Sequence, residues 1–257
     1  MPIKVHYFAG YGKAEAIRML LAHAKVEYEN VHYTHEGLPE AKASGNLEFG
    51  QMPVLEVDGK FYSQSQSILR LLGKQHGYYP TDAYEAWRVD STLDAINDLT
   101  GAFYKVHFCP DEETKKILLA DFMANIFPKW LVVINKRIES NTDHKHIVGD
   151  KLTIADFALA ALAYSSFLNE ANPVQKLFLE QVEKFPIIHA YCVGLGENFK
   201  EHLSTRNPSP MWAHVQAGPN FYLYCIKCWE ITYNTNIYQT NLFVYIFNMS
   251  HIFLNKR

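Results

Sequence analysis

The stretch Gln51-Met52-Pro53-Val54-Leu55-Glu56-Val57-Asp58-Gly59-Lys60-Phe61-Tyr62-Ser63-Gln64-Ser65-Gln66-Ser67 decides how this chain folds. Pro53 opens an apolar run directly after a polar turn. A cis peptide bond is nearly confined to X-Pro, where it costs only about 0.5–1 kcal/mol, so Met52-Pro53 is a candidate cis bond. Such a bend turns the N–H and C=O of Met52 outward, where an extended peptide can add as an extra strand. Asp58-Gly59 is a two-residue turn of the type that needs positive φ, so residues 54–57 and 60–62 are predicted to pair as a hairpin. The hairpin leads to Gln64 and Ser65 at a helix start, where free N–H groups and the helix dipole favour a carboxylate. One short segment thus offers a strand-like docking edge and an anion seat. An ordinary hairpin-to-helix junction would carry the same residue types.

Upstream of this stretch, residues 3–8 (Ile-Lys-Val-His-Tyr-Phe) are apolar and β-prone and read as a strand that Gly10 and Gly12 end. Ala14, Ile17, Leu20, Leu21 and Ala24 keep helical spacing over 13–25. Residues 27–33 read as a second strand, 38–43 as a short helix or turn. Downstream, residues 65–76 carry Ile68, Leu69, Leu71 and Leu72 in a helix that Gly77 ends. A right-handed crossover makes the first two strands parallel, while the hairpin adds antiparallel ones, so a mixed four-stranded sheet is predicted.

Residues 78–82 have the composition of a linker, and beyond them the period is helical throughout. A long helix is predicted over 83–107, and acids at 111–113 open the next, which Pro128 should kink. Thr153-Ile154-Ala155-Asp156 is a capping-box pattern before a nearly all-apolar run to about Leu168. A helix apolar on every side belongs in the centre of a bundle. Further helices are expected over 174–184 and from Pro186 to about Leu203. The predicted organisation is an α/β domain over 1–77, a linker at 78–82 and an all-helical domain over 83–207.

The net charge of -3 and the lack of any basic block argue against a nucleic-acid surface. The N-terminal residues have no signal-type apolar region, so a cytoplasmic protein is expected. Cys109 and Cys192 lie in apolar helical settings and read as reduced structural thiols, and Cys225 and Cys228 form a lone C-x-x-C without the second pair a zinc site wants. No metal is expected.

The motifs 5–8 (Val-His-Tyr-Phe), 12–15 (Gly-Lys-Ala-Glu) with Ile17 and Arg18, 50–55 (Gly-Gln-Met-Pro-Val-Leu), Gln64-Ser65, 88–90 (Arg-Val-Asp) and 153–156 (Thr-Ile-Ala-Asp) occur in order over residues 1–210. In these the chain resembles the cytosolic glutathione S-transferases, most closely the sigma class, which includes the haematopoietic prostaglandin D synthases. The resemblance implies a thioredoxin-like domain followed by a helical one, a homodimer, no membrane association, and glutathione bound along the first domain as co-substrate. It implies Tyr7 as the catalytic residue, and glutathione contacts from Tyr7, Phe8, Lys13, Leu38, Lys42, Gly50, Gln51, Met52, Pro53, Gln64 and Ser65, with Asp98 reaching across from a neighbouring subunit. An electrophile site is expected between the domains, lined by Phe8, Gly12, Lys13, Phe103, Tyr104 and His107. For Phe103 a plain core role competes equally, and His107 reads as a helix-surface residue more readily than as a catalyst.

The chemistry fits independently of the resemblance. A free thiol titrates near about 8.5, and lowering that by one to two units needs roughly 1.4–2.7 kcal/mol, within reach of one charge-assisted hydrogen bond. A protonated phenol can give that bond. Two positions depart from the sigma pattern: Lys13 stands for the usual arginine, losing its planar fork, and Leu38 for a tryptophan, losing its indole donor. Weaker glutathione binding than in a typical member is therefore expected. Three functions compete: conjugation of glutathione to hydrophobic electrophiles (detoxification), glutathione-dependent isomerisation of a prostaglandin endoperoxide, and a non-catalytic ligand-binding or structural role on the same fold.

Residues 212–257 fall outside the resemblance. They hold 11 of the 36 aromatic residues but only four charged ones, Lys227, Glu230, Lys256 and Arg257. An unselected extension is the favoured reading, against a cover for the dimer or electrophile site and against an adhesive β-prone segment.

Overall fold

The computed structural model describes residues 3–141, 144–172 and 174–209; the segment 212–257, read above as an atypical extension, lies outside them. Four strands form one sheet in the order β2-β1-β3-β4: β1 (Ile3–Phe8), β2 (Tyr28–Tyr33), β3 (Val54–Val57) and β4 (Lys60–Ser63). β1 runs parallel to β2, as a crossover through α1 (Glu15–His23) requires, and antiparallel to β3, which pairs antiparallel with β4. The predicted turn is present, with Asp58 at φ 50° and Gly59 at φ 74°. A short α2 (Leu38–Ala43) and the helix α3 (Ser65–His76) complete the unit, α3 ending where Gly77 takes the left-handed conformation at φ 81°.

The helical domain comprises α4 (Ala83–His107), α5 (Glu112–Asp121), α6 (Phe127–Glu139), α7 (Ile154–Ser165), α8 (Gln175–Val182) and α9 (Pro186–Thr205). Pro128 was expected to kink a single helix. Instead a π-turn, Phe122–Ile126, joins α5 to α6, and Pro128 sits in the first turn of α6, where its missing N–H is least disruptive. The continuous run Glu112–Glu139 is long and apolar enough by length and composition to cross a membrane. Its large side chains Phe122, Phe127, Leu131 and Ile134 are buried in the bundle, as the core helix of a folded domain requires.

The central helix is α7. Nearly every residue of it is buried, and it stops at Ser165, three residues short of the expected Leu168, as Ser166 leaves the helical region at ψ -92°. Its start is fastened by Asp156, whose carboxylate accepts from the backbone N–H groups of Ile147 at 2.9 Å and Thr153 at 2.6 Å, the Thr153 hydroxyl at 2.8 Å and the Tyr191 hydroxyl. The α/β domain docks here. Ile154 donates its N–H to the linker carbonyl of Tyr78 at 2.9 Å, and Gly73 on α3 comes so close that a Cβ there would lie 2.5 Å from Ile154 Cγ2. Ile17, Met19, Leu20 and Leu21 of α1 are wholly buried, because α1 packs against α3 of its own domain and against α7 and α9 of the helical one.

The same contact holds a buried charge cluster. Glu15, 1% exposed, accepts from His202 at 2.9 Å and Arg206 at 3.0 Å, both on the α9 side, and faces Arg18 at 3.4 Å. Burial pushes the Glu15 carboxyl up, but the His202 hydrogen bond and the charges of His202, Arg18 and Arg206 outweigh it and hold the group below its ordinary range. Tyr11 extends the clasp: its hydroxyl donates to the Asn207 carbonyl at 2.8 Å and accepts the Ser209 N–H at 3.0 Å.

Candidate active site

The antiparallel register pairs His6 with Val54, so one step further Tyr7 lies level with Pro53. The Met52-Pro53 bond is cis, as its sequence suggests. Among the described residues, neither backbone group of Met52 is in a backbone hydrogen bond, which leaves its N–H and C=O available at the sheet edge. At the following helix start, Gln64 sits at φ 71° and ψ 105°, a conformation that L residues rarely adopt. Strain of that kind costs on the order of 1–3 kcal/mol and gathers at functional positions. No side chain caps α3, so the first N–H groups of the helix stay open beside Gln64 and Ser65. Gln64 and Gln51 meet through their amides at 3.5 Å.

Tyr7 points its hydroxyl at the turn of residues 12–14 that precedes α1. Its ring is 7% exposed, its oxygen accepts the Lys13 N–H at 3.1 Å, and the Arg18 guanidinium carbon lies 5.8 Å from the ring centre. Gly12 makes the approach possible. A Cβ at that position would fall 2.4 Å from the Tyr7 oxygen, and its φ of 42° is itself in the left-handed region. Burial raises the Tyr7 phenol above its usual range, against smaller lowering effects from the Lys13 N–H, Arg18 and a hydrogen bond with Tyr104. The phenol is therefore protonated at neutral pH and able to donate.

Beside it, between the domains, runs a cleft of about 60 Å³ walled by α1, α3, α4 and α7. Gly12, Lys13 and Tyr104, three of the expected electrophile-site residues, line it together with Ser65. The Lys13 ammonium lies 5.6 Å from the centre of the Tyr104 ring, and burial lowers its pKa. Phe103 does not line the cleft: one residue along α4 turns its side chain about 100° away, into the aromatic cluster of Phe122 and Phe178 at 5.2 and 5.3 Å. The core role that competed for it in sequence is the one found. His107 is also elsewhere, at the last turn of α4 and edge-on to Phe108 at 4.8 Å. Phe8, at the end of β1, stacks on His35 at 4.9 Å, away from the cleft wall.

Of the expected glutathione contacts, Tyr7, Gln51, Met52, Pro53, Gln64 and Ser65 converge around the end of β1, while Gly50 lies next to the aliphatic stem of Lys42, 3.8 Å from a Cβ built on the glycine. Leu38 packs against the small cluster of Ala41, Leu47 and Val54 under this edge. Asp98 is exposed on α4. The clearance at Gly12 and the twisted backbone of Gln64 had no signal in the residue types alone. Among the described residues no group of three or more His, Cys, Asp or Glu side chains is arranged to hold a metal ion.

An α/β domain with a protonated phenol at a strand end, an open strand edge and an uncapped helix start, joined to a helical domain across a cleft, defines a two-domain thiol transferase. Comparison with known proteins makes the family explicit. Sequence models of the glutathione S-transferase N-terminal and C-terminal domains match residues 3–74 and 97–193. Glutathione S-transferase 2 of Manduca sexta is 34% identical over 193 residues, spanning 72% of this chain and 93% of the relative, and glutathione S-transferase A of Cavia porcellus is 36% identical over 209 residues, spanning 80% and 93%. Among solved structures, prostaglandin synthase D of Nilaparvata lugens superposes with a TM-score of 0.71 at 27% identity, over 80% of this chain and 99% of that one. The chain belongs to the glutathione S-transferase family. It is a glutathione transferase, with glutathione as co-substrate.

Proposed function

We propose that Tyr7 is the catalytic residue and that glutathione lies extended along the edge at Met52, its γ-glutamyl carboxylate at the open start of α3. The observation that carries this reading is the Tyr7 hydroxyl, buried and protonated beside a cleft wall shared by both domains that bears Lys13, Ser65 and Tyr104. The backbone of Met52 pairs with the cysteinyl unit in the manner of an added strand. Gln64 and Ser65 hold the γ-glutamyl end, and Gln51, Lys42 and Leu38 flank the rest of the tripeptide. The Tyr7 hydroxyl donates to the thiolate, lowering the thiol pKa so that the sulfur is ionised near neutrality. The thiolate then forms the carbon–sulfur bond with an electrophile in the cleft, and the electron pair goes to the leaving group or to an activated double bond. The Lys13 ammonium, in the cleft wall beside Tyr104, is placed to neutralise charge that develops on the electrophile.

Within the family we assign the chain to the sigma class, on its own motifs and its likeness to a prostaglandin synthase D structure. We further assign it a cytoplasmic detoxification role and a homodimeric state, in which exposed Asp98 reaches the γ-glutamyl ammonium of the partner's site. Na-GST-3 of Necator americanus, 30% identical with a TM-score of 0.69 over 80% of this chain and 98% of that one, is described as monomeric. Sedimentation equilibrium therefore tests the dimer directly, and a monomer at micromolar concentration would remove Asp98 from the site. The domain boundary is assigned to residues 78–82. The structural likeness to prostaglandin synthase D also favours endoperoxide isomerisation as a second reading.

The test is titration of glutathione by calorimetry, followed by conjugation to a chlorodinitrobenzene and product analysis with a prostaglandin endoperoxide. Micromolar to millimolar glutathione binding with conjugation that Tyr7→Phe reduces supports the assignment, and unchanged turnover in that variant would overturn it. Release of an isomerised prostaglandin with glutathione regenerated would establish the second reading.

A further inference from the structure

The turn that brings Lys13 to Tyr7 is not held by its own backbone. Gly12 sits at φ 42° with no side chain, so local preference does not decide where the Lys13 N–H comes to lie. Contacts from outside the turn decide it. The Gly10 carbonyl accepts from the Arg18 guanidinium at 2.7 Å, within the same domain. Tyr11, 5% exposed, reaches into the helical domain instead: its hydroxyl bridges the Asn207 carbonyl and the Ser209 N–H, and the Arg206 guanidinium carbon lies 4.1 Å from its ring centre. The bridged segment 206–209 is itself fixed. Arg206 donates to Glu15 at 3.0 Å and to the Tyr164 carbonyl at 2.5 Å, and the Ser209 carbonyl accepts from Asn169, just past α7, at 3.0 Å.

A hydroxyl that donates to one backbone group and accepts from another cannot shift without losing both bonds. Two residues further on, the Lys13 N–H donates to the Tyr7 oxygen at 3.1 Å. That bond leaves the Tyr7 O–H to donate elsewhere and polarises it, since hydrogen bonds in a chain strengthen one another by about 10–30%. We infer that Tyr11 is a positioning residue for the reaction: by tying the 10–13 turn to residues 206–209 it holds the Lys13 N–H on the Tyr7 oxygen, and so sets how strongly Tyr7 donates to the glutathione thiolate. Tyr11 is not among the described residues that wall the cleft, so it acts through the turn. Its bridge crosses from one domain to the other, which makes the strength of the catalytic hydrogen bond depend on how the end of the helical domain is seated. The inference rests on the role given to Tyr7 above.

The test is the ionisation of glutathione bound to the full chain, followed by the ultraviolet difference spectrum of the thiolate over a pH series. Tyr11→Phe keeps the ring beside Arg206 and removes only the hydroxyl. The charged and titratable groups around Tyr7, which are Lys13, Arg18 and Tyr104, and those around Tyr11, which are Arg206 with Glu15 and His202 behind it, all remain. The acid dissociation constant of the bound thiol is expected to fall about three- to tenfold, the effect of one hydrogen bond, with the glutathione dissociation constant within about twofold of the parent. A merely structural role would move affinity and thermal midpoint and leave the thiol ionisation where it was. Because Tyr11 acts through Tyr7, adding Tyr11→Phe to Tyr7→Phe should change the ionisation by less than about 1.5-fold. Should the thermal midpoint show that Tyr11→Phe has failed to fold, Ser209→Pro, beyond the last helix, removes the N–H that Tyr11 accepts and carries the same prediction at about twofold. An unchanged ionisation in Tyr11→Phe, or in Ser209→Pro where that stands in for it, overturns the inference, as does an effect of equal size with and without the Tyr7 hydroxyl; Tyr7 keeps its role in both cases if Tyr7→Phe alone shifts the ionisation. No shift in Tyr7→Phe overturns the role of Tyr7 and the inference with it.

Discussion

Two helices of this protein begin in opposite ways. At the start of α7 a capping box joins Thr153 and Asp156, Asp156 also accepts from Ile147 and Tyr191, and the junction is buried. At the start of α3 no side chain among the described residues caps the helix, Gln64 is held in a rarely populated conformation, and the segment lies at the surface beside Gln51. The same elementary problem, four orphan N–H groups at a helix N-terminus, is solved once by a side chain and once left for a ligand. The first solution fastens the start of α7 within the helical domain, and the second leaves a seat for an anion. Stability and function in this fold are therefore read from the same feature with opposite occupancy.

The largest expected effect breaks the fastened end. Asp156→Ala strands four donors in the core, and a loss of about 3–5 kcal/mol in urea denaturation is expected. A loss under about 1 kcal/mol would mean that the capped helix is not the fastener. At the catalytic end, Tyr7→Phe removes one hydrogen bond to the thiolate. It should reduce kcat/KM about 10- to 100-fold and move the acid limb of the pH–rate profile up by about one to two units, with stability little changed. Ser65→Ala sharpens the contrast at the open end. The glutathione KM is expected to rise about five- to tenfold while the urea midpoint stays within about 0.5 kcal/mol of the parent, the reverse of the Asp156 pattern.

The smallest expected effect appears only in acid and concerns Glu15. Its folded-state pKa lies below the unfolded value of about 4.3. Above that value both states are ionised and the cluster contributes its full stability. As pH falls below about 4.3 the unfolded chain takes up the proton first, so stability declines progressively until the lower folded pKa is passed. In Glu15→Gln that part of the decline should vanish from a pH series of urea midpoints, and a slope identical to the parent would show that the carboxylate is not the group responsible.

Most of the architecture was legible because local chemistry dictates it. Asp58-Gly59 can turn a hairpin, Gly77 can end a helix, and Thr153 with Asp156 marks a helix start, each within a window of a few residues. The departures have physical causes that act over longer distances. Phe103 and Tyr104 are both plausible cleft residues in sequence, and only the rotation of α4 against α5 and α8 decides between them. Across the π-turn Phe122 stacks on Phe127 at 5.8 Å, a contact that Pro128 by itself does not announce. At the site, Tyr7, Gln64 and Ser65 were named through a family resemblance. The raised phenol pKa comes from packing, the Gly12 clearance from a turn, and the Tyr11 bridge from the meeting of that turn with residues beyond α9, none of which a residue type announces.

The bond between Glu15 and His202 joins positions 187 apart in sequence. During synthesis the sheet domain leaves the ribosome long before α9 exists, and at that stage Glu15 has only Arg18 beside it while His202 and Arg206 are still untranslated. A carboxylate is costly to sequester from solvent without its partners, so the burial of Glu15 depends on the arrival of α9. In the folded chain α9 thus supplies, from far along the sequence, the partners with which a residue at the start of α1 is buried.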